Sequence, residues 1–197
     1  MSETKEYRAD VTLVGELKDD FSDIVLNGKK YLGGVICVTR FSGVVDEIPV
    51  YFKQRVNIGE FSAGDVVSIT GRINTFLKRK NGRSKMLVCI ESIEHTCASD
   101  GVNTVFVDGV VCLEPKLRET PAGKKITDLT IAVNFERGSA YIHAITWGRN
   151  AYECAKLNVG DFVRCEGRFQ SRKYYKRYDD GTGEELTTYE CSLSKVN

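Results

Sequence analysis

Residues Gly64–Arg72 read GDVVSITGR, and 96 positions later Gly160–Arg168 read GDFVRCEGR. Gly15, inside VTLVGEL, is matched 94 positions later by Gly109 inside VFVDGVV. A near-constant offset marks an internal duplication, so the chain must fold as two copies of one small unit. Its 197 residues are enough for two such units. The join falls in His95–Asn103, HTCASDGVN, where apolar periodicity lapses and small or polar residues collect. The expected domains are therefore 1–98 and 103–197, with a boundary near Ser99.

Each half carries five apolar segments of strand length, rich in β-branched residues. In the first half they are VTLVGEL from Val11, VICVTRF from Val35, IPVYF from Ile48, VVSITGRI from Val66 and MLVCIESI from Met86. In the second they are VFVDGVV from Val105, ITDLTIAV from Ile126, AYIHAITW from Ala140, DFVRCEGRF from Asp161 and YECSLSKV from Tyr189. A short helix is expected over Arg149–Leu157, ended by Gly160, with a weaker counterpart at QRVNIGEF. Five strands with a helix between the third and fourth is the order of the OB fold, a small Greek-key barrel. The fold class expected is all-β, two tandem five-stranded OB-fold barrels. Gly15, Gly71, Gly109 and Gly167 fall within strand patterns, where they mark either bends and bulges or plain turns.

A hydrophobic content of 42% with 28% charged residues is that of a soluble globular chain. The net charge of +1 offers no global attraction to nucleic acid, so any such partner must be held by local basic patches. Seven cysteines without a C-x-x-C pair read as reduced core thiols. No run approaches the roughly 18 apolar residues of a membrane span, and the start MSETKEYRAD has no apolar leader stretch, so a cytoplasmic location is expected.

The second half resembles the bacterial single-stranded DNA-binding protein family along nearly its whole length. The resemblance rests on NTVFVDGVV, TPAGKKITDLTIAVN, AITWGRNAYECAKLNVGDFVRCEGRFQSRKYY and TTYECSLSKV. T-x-x-G-K before strand two, W-G-R-x-A closing strand three and G-R-x-x-x-R-x-Y along strand four are specific in combination. The related primosomal DnaB-loading accessory proteins share the fold and part of the pattern. The first half fits the family only loosely, as a diverged copy. The resemblance implies single-stranded DNA as the partner, and two chains forming a homodimer that presents four barrels. The chain stops at SLSKVN after its last strand, without the family's usual acidic tail, which points to a specialised or mobile-element role.

Unspecified single strands are held by aromatic faces for bases and cations for phosphates. At the positions where the family stacks bases, the chain has Tyr141, Trp147 and Tyr174, with Arg149 following Trp147. Tyr141, His143, Ile145 and Trp147 share one face of a strand, and alternation alone leaves open whether that face points outward or into the barrel. His143 is either a groove residue or a satisfied barrel residue. Ser171–Leu186 reads as a long hairpin mixing Arg172, Lys173, Lys176 and Arg177 with Tyr174, Tyr175 and Tyr178, either a strand clamp or a solvated edge. Lys116, Arg118, Lys124 and Lys125 flank the loop between strands one and two, which OB folds use to grip oligonucleotides. Arg164, Arg168 and Arg172 are evenly spaced along strand four and are expected to line one face.

Laid on the second half, the first half puts Asp46 opposite Tyr141, Phe52 opposite Trp147 and Lys78 opposite Tyr174. What remains there is a basic hairpin around Asn81-Gly82, with Lys78, Arg79, Lys80, Arg83 and Lys85. This half is expected to contact phosphates more than bases, with Phe52 its one stacking candidate.

Neither His95 nor His143 has metal-ligand spacing, and there is no phosphate loop, nucleophile elbow or H-E-x-x-H, so neither an enzyme nor a cofactor is indicated. The fold alone leaves two alternatives: a protein-interaction module with incidental DNA contact, and an RNA- or polysaccharide-binding barrel.

Overall fold

Alternating β-branched residues put every second side chain on one side of a strand, and burying that side closes a barrel. The computed structural model describes residues 6–53, 59–77, 84–98, 100–136, 138–179 and 181–197. The first repeat runs β1 Arg8–Leu17, β2 Ser22–Leu26, β3 Lys29–Thr39, β4 Val45–Phe52, β5 Val66–Leu77 and β6 Ser84–His95. The second runs β7 Val102–Val111, β8 Lys116–Glu119, β9 Lys125–Phe135, β10 Gly138–Trp147, α1 Arg149–Cys154, β11 Phe162–Arg177 and β12 Gly183–Val196. The five expected strands are present in each repeat, with one short strand added where the sequence suggests only a loop. The first of these, β2, turns into β3 through Asn27-Gly28, whose φ angles of 50° and 80° fit a tight hairpin.

Both repeats close in the same order. β1 pairs β3, β3 pairs β4, β4 runs parallel to β6, β6 pairs β5, and β5 returns to β1. β7, β9, β10, β12 and β11 repeat the circuit. The two barrels are thus tandem OB folds. The helix α1 follows β10 and precedes β11 as expected, packing on β9 and β10, but it ends at Cys154, three residues early. Of its weaker counterpart in the first repeat, residues 54–58 lie outside the described residues, and Gly59 and Glu60 form a turn.

Gly71 and Gly167 sit at equivalent register shifts, where β5 and β11 meet the bulged partner strand. A Cβ at Gly71 would collide with the Cys89 carbonyl, and one at Gly167 with the Ser192 carbonyl. These glycines therefore mark close backbone approach at a bulge rather than turns.

Inward-facing Leu13, Ile36, Ile48, Ile69 and Ile73 fill the first barrel, and Ile131, Ile142, Val163 and Phe169 the second. The thiols are less uniform than expected. Cys89, Cys154, Cys165 and Cys191 are buried, Cys37 and Cys112 are half-buried, and Cys97 is exposed. Among the described residues no helix is long and apolar enough to cross a membrane.

The repeats join through β1 and β7, which pair antiparallel from Arg8↔Asp108 to Val14↔Val102 and make one twelve-stranded sheet. Two further contacts are reciprocal. The Glu47 N–H donates to Ser171 Oγ at 3.0 Å, and the Tyr141 N–H donates to Thr75 Oγ1 at 3.1 Å.

Candidate nucleic-acid interface

In β10, Ala140, Ile142, Ala144 and Thr146 are buried in the barrel, while Tyr141, His143 and Trp147 lie on the outer face and are exposed. That settles the face left open by alternation. Trp147 is 39% exposed, and its indole N–H donates to Ser192 Oγ at 3.1 Å. One ring edge is pinned, and the ring stays accessible.

Trp147 and Ile145 form part of a groove of about 530 Å³. Its apolar floor is bordered by Ile126 and Pro121, and its cations from the second repeat are Arg118, Arg168, Arg172 and Lys173. A shallower depression of about 450 Å³, lined by Lys124, Asn150 and Ser192–Ser194, shares Trp147 and Arg168 with it. Trp147 and Arg168 therefore stand between the two depressions. Burial, reinforced by neighbouring Arg40, pushes the Arg168 guanidinium below its usual value, and its buried Nε has no hydrogen-bond partner.

Most groove cations are already matched with carboxylates. Arg118 makes a two-pronged pair with Asp128 at 2.5 and 2.9 Å, Arg172 lies 3.7 Å from Glu190, and Lys173 lies 3.3 Å from Glu185. Lys125 pairs with Glu119 at 2.5 Å. Lys116, Lys124 and Arg149 are exposed, and of these Lys124 lines the shallower depression.

Along the β11–β12 hairpin, Arg172, Tyr174, Lys176 and Tyr178 alternate onto one face as a ladder. The Arg172 guanidinium lies 5.9 Å from the Tyr174 ring centre and the Lys176 ammonium 4.6 Å from that of Tyr178, while the Tyr178 hydroxyl bonds Glu184. Lys173, Tyr175 and Arg177 occupy the other face, and Tyr175 is exposed. At the far end of β10, Tyr141 and His143 are met by the first repeat's β5–β6 arm, where Ser84 Oγ lies 2.8 Å from His143 Nε2. Desolvation of the ring beside this arm lowers the His143 pKa, favouring the neutral form, although part of the side chain stays exposed.

Two expectations about this face are corrected. Arg164 does not join Arg168 and Arg172. It lies in a separate cleft with Arg8, Asp10, Arg72 and Asp108, beside the junction of β1 and β7. Phe52 is not a stacking residue, being 6% exposed and edge-on to Phe21 in the barrel core at 5.1 Å. The parallel ladders show why. Val50 pairs Val88 as Ala144 pairs Cys191, so Phe52 is the counterpart of Thr146, Lys53 of Trp147, and Glu47 of Tyr141. Asp46 instead is fully buried, bonded to Arg40 and to the Ser171 N–H. Lys78, Arg79, Lys80 and Arg83 lie outside the described residues, and Lys85 is half-buried on β6.

The same registers show what became of the first repeat's groove. Arg118, Ile126, Ile145, Arg172 and Glu190 of the second repeat have Ile24, Tyr31, Tyr51, Phe76 and Leu87 as counterparts. These pack as an apolar cluster with Leu26 and Cys89. Tyr51 stands edge-on to Tyr31 and to Phe76, each at 5.4 Å, and its hydroxyl accepts from Asn74 Nδ2 at 2.7 Å. The aromatics of this face are spent on one another, and the face is closed.

Sequence reasoning missed Arg40 and Val44, which line the second repeat's groove from the first repeat. No local signal could have revealed them, because their neighbours in the groove lie in the other repeat.

Comparison with known proteins agrees with this architecture. Residues 102–197 match the model of the Single-strand binding protein family. The chain is 32% identical over 93 residues to "Single-stranded DNA-binding protein 2" of Streptococcus agalactiae, covering 43% of this chain and 69% of that protein. It is 35% identical over 81 residues to "Single-stranded DNA-binding protein A" of Bacillus subtilis, a match spanning 37% of this chain and 47% of the relative. The crystal structure of the single-stranded DNA binding protein from Thermus aquaticus superposes with a TM-score of 0.76 at 21% identity, covering 98% of this chain and 93% of that one, so both repeats share its fold. By its sequence relatives and its second repeat, the chain belongs to the single-strand binding protein family.

Proposed function

We propose that this chain binds single-stranded DNA with little sequence preference, in replication, repair, recombination or mobile-element transfer, as a binding protein and not an enzyme. The observation that carries the reading is the accessible Trp147 ring, set between two depressions and flanked by Arg118, Arg168, Arg172 and Lys173. A base stacked on an aromatic ring contributes about 1–3 kcal/mol whatever its identity. Trp147, then Tyr174, Tyr175 and Tyr178 along the hairpin, and Tyr141 at the far end of β10, take bases. The groove cations, with Lys116, Lys124, Lys125, Arg149, Lys176, Arg177 and the β5–β6 hairpin, take phosphates, and His143 a polar contact.

In this reading residues 1–98 and 103–197 are separate domains, and the second carries most of the stacking. Two chains form a homodimer presenting four barrels, working in the cytoplasm without a cofactor. A solution mass near twice 22.0 kDa supports the dimer, and a mass near 22.0 kDa excludes it.

The test is a titration with oligothymidine of about 35 nucleotides, long enough to cross several barrels at roughly 4–16 nucleotides each, followed by Trp147 fluorescence. Strong quenching by the oligothymidine and none by matched duplex supports the reading. Oligouridine in parallel reads the preference for DNA over RNA. Absence of binding, checked by a second method, overturns it.

A further inference from the structure

The groove of the second repeat is walled partly by the first. Arg40 and Val44, the two ends of the turn joining β3 to β4, line it beside Arg118, Arg168 and Arg172. The turn is tight, with the Arg40 N–H donating to the Val44 carbonyl and the Gly43 N–H to the Arg40 carbonyl, both at 2.8 Å. Gly43 has φ 80°, a conformation that suits glycine.

Arg40 is held by a buried carboxylate. Its Nε and Nη2 donate to the two oxygens of Asp46, each at 2.6 Å. Asp46 Oδ1 also accepts the Ser171 N–H of β11 at 2.9 Å, so one carboxylate ties the turn to the neighbouring repeat. These bonds use two of the five guanidinium donors and fix the side chain before any ligand arrives, which lowers the ordering cost of binding. The next residue, Phe41, is fully exposed at the tip of the turn. A rigid cation beside an open aromatic ring is the pairing that holds a phosphate and stacks the adjoining base.

We propose that the β3–β4 turn of the first repeat belongs to the strand-binding surface of the second, with Arg40 taking a phosphate and Phe41 a base. The first repeat then contributes to binding across the repeat junction, while its own face stays closed by Tyr31, Tyr51 and Phe76. This rests on the reading of the second repeat as a single-strand binder.

The experiment compares the full chain with Phe41→Ala and with Arg40→Gln/Asp46→Asn, using oligothymidine of about 35 nucleotides over a range of salt. The double variant removes cation and carboxylate together, so no buried charge is left alone. Phe41→Ala removes a ring that is fully exposed and is the folding-safe arm. Phe41→Ala is expected to weaken binding at least about fivefold with an unchanged salt slope. The double variant is expected to weaken binding and to flatten the log–log salt slope by about 0.7, one phosphate contact on a single strand. Lys30→Gln, at an exposed position of the β2–β3 hairpin that does not line the groove, is expected to bind as the parent does. If the parent binds and Phe41→Ala binds equally well, the turn is not part of the surface, though the second repeat remains a binder. If the parent itself fails to bind, the functional reading falls, and this inference with it.

Discussion

Val11 and Val105 stand opposite each other at the centre of the β1–β7 pairing, and each is the other's counterpart in the sequence repeat. A seam centred on equivalent residues is what a two-fold dimer interface produces, here within one chain. The reciprocal bonds Glu47 to Ser171 and Tyr141 to Thr75 obey the same symmetry, since Glu47 corresponds to Tyr141 and Thr75 to Ser171. Two units joined covalently need not stay identical. One outer face has filled with its own aromatics, and the other remains an open cationic groove.

Replacing Trp147 by alanine is expected to weaken oligothymidine binding by about 5- to 150-fold, the loss of one stacked base. Trp147→Phe keeps a ring and should retain most of the affinity. Equal losses in the two variants, measured by fluorescence anisotropy, would mean the side chain positions the groove rather than stacks.

Leu87 is 1% exposed in the cluster that closes the first repeat's face. Leu87→Ala is expected to cost about 2–5 kcal/mol in urea unfolding while leaving oligothymidine affinity nearly unchanged. A large fall in affinity of the still-folded variant would show that this face takes part in binding.

Arg118 is held by Asp128 and Lys173 by Glu185, and these carboxylates occupy donors that phosphates would use. Half-exposed pairs of this kind contribute only about 0–1 kcal/mol to stability. Asp128→Asn and Glu185→Gln are therefore expected to fold normally, to bind oligothymidine a few-fold more tightly at low salt, and to show a steeper salt dependence. Weaker binding would mean that the carboxylates orient the cations rather than compete for them.

The thiols should separate by reactivity, because the thiolate is the reactive form. Burial pushes Cys165 up to about 12 and raises Cys37, Cys112, Cys154 and Cys191, while Cys97 is exposed. Alkylation of the native protein near pH 8 is expected to modify Cys97 first, with the buried thiols reacting only after unfolding. The same shifts make the thiols' contribution to stability full below the free-thiol value of about 8.5. It is lost as pH rises from there towards about 12 at Cys165, because the unfolded chain gives up protons that the folded one keeps. Unfolding midpoints that do not fall above pH 8.5 would contradict this.

The repeat, the strands and their order were legible because each leaves a local trace: a constant offset, a period of two, and glycines at the bulges. Trp147, Arg118, Arg168, Arg172 and Lys173, which line one groove, were legible as candidates for the same reason, since their motifs are short. Phe52 was misread by one residue. In a strand a one-residue slip exchanges the two faces, so aligning Phe52 with Trp147 turned a core ring into a surface one. Only the pairing of Val50 with Val88 and of Ala144 with Cys191 sets that register.

By itself the sequence determined that this chain is two copies of one five-stranded barrel and that the second copy carries the cations and rings that line its open groove. Those properties follow from alternation and composition within single strands. Tertiary structure alone decided that Trp147 faces outward, that Tyr31, Tyr51 and Phe76 close the first face, that Arg164 leaves the groove and that Arg40 enters it. Each of these depends on which strands lie side by side and in what register, a matter of hydrogen-bonded pairing and core packing between residues far apart in the chain.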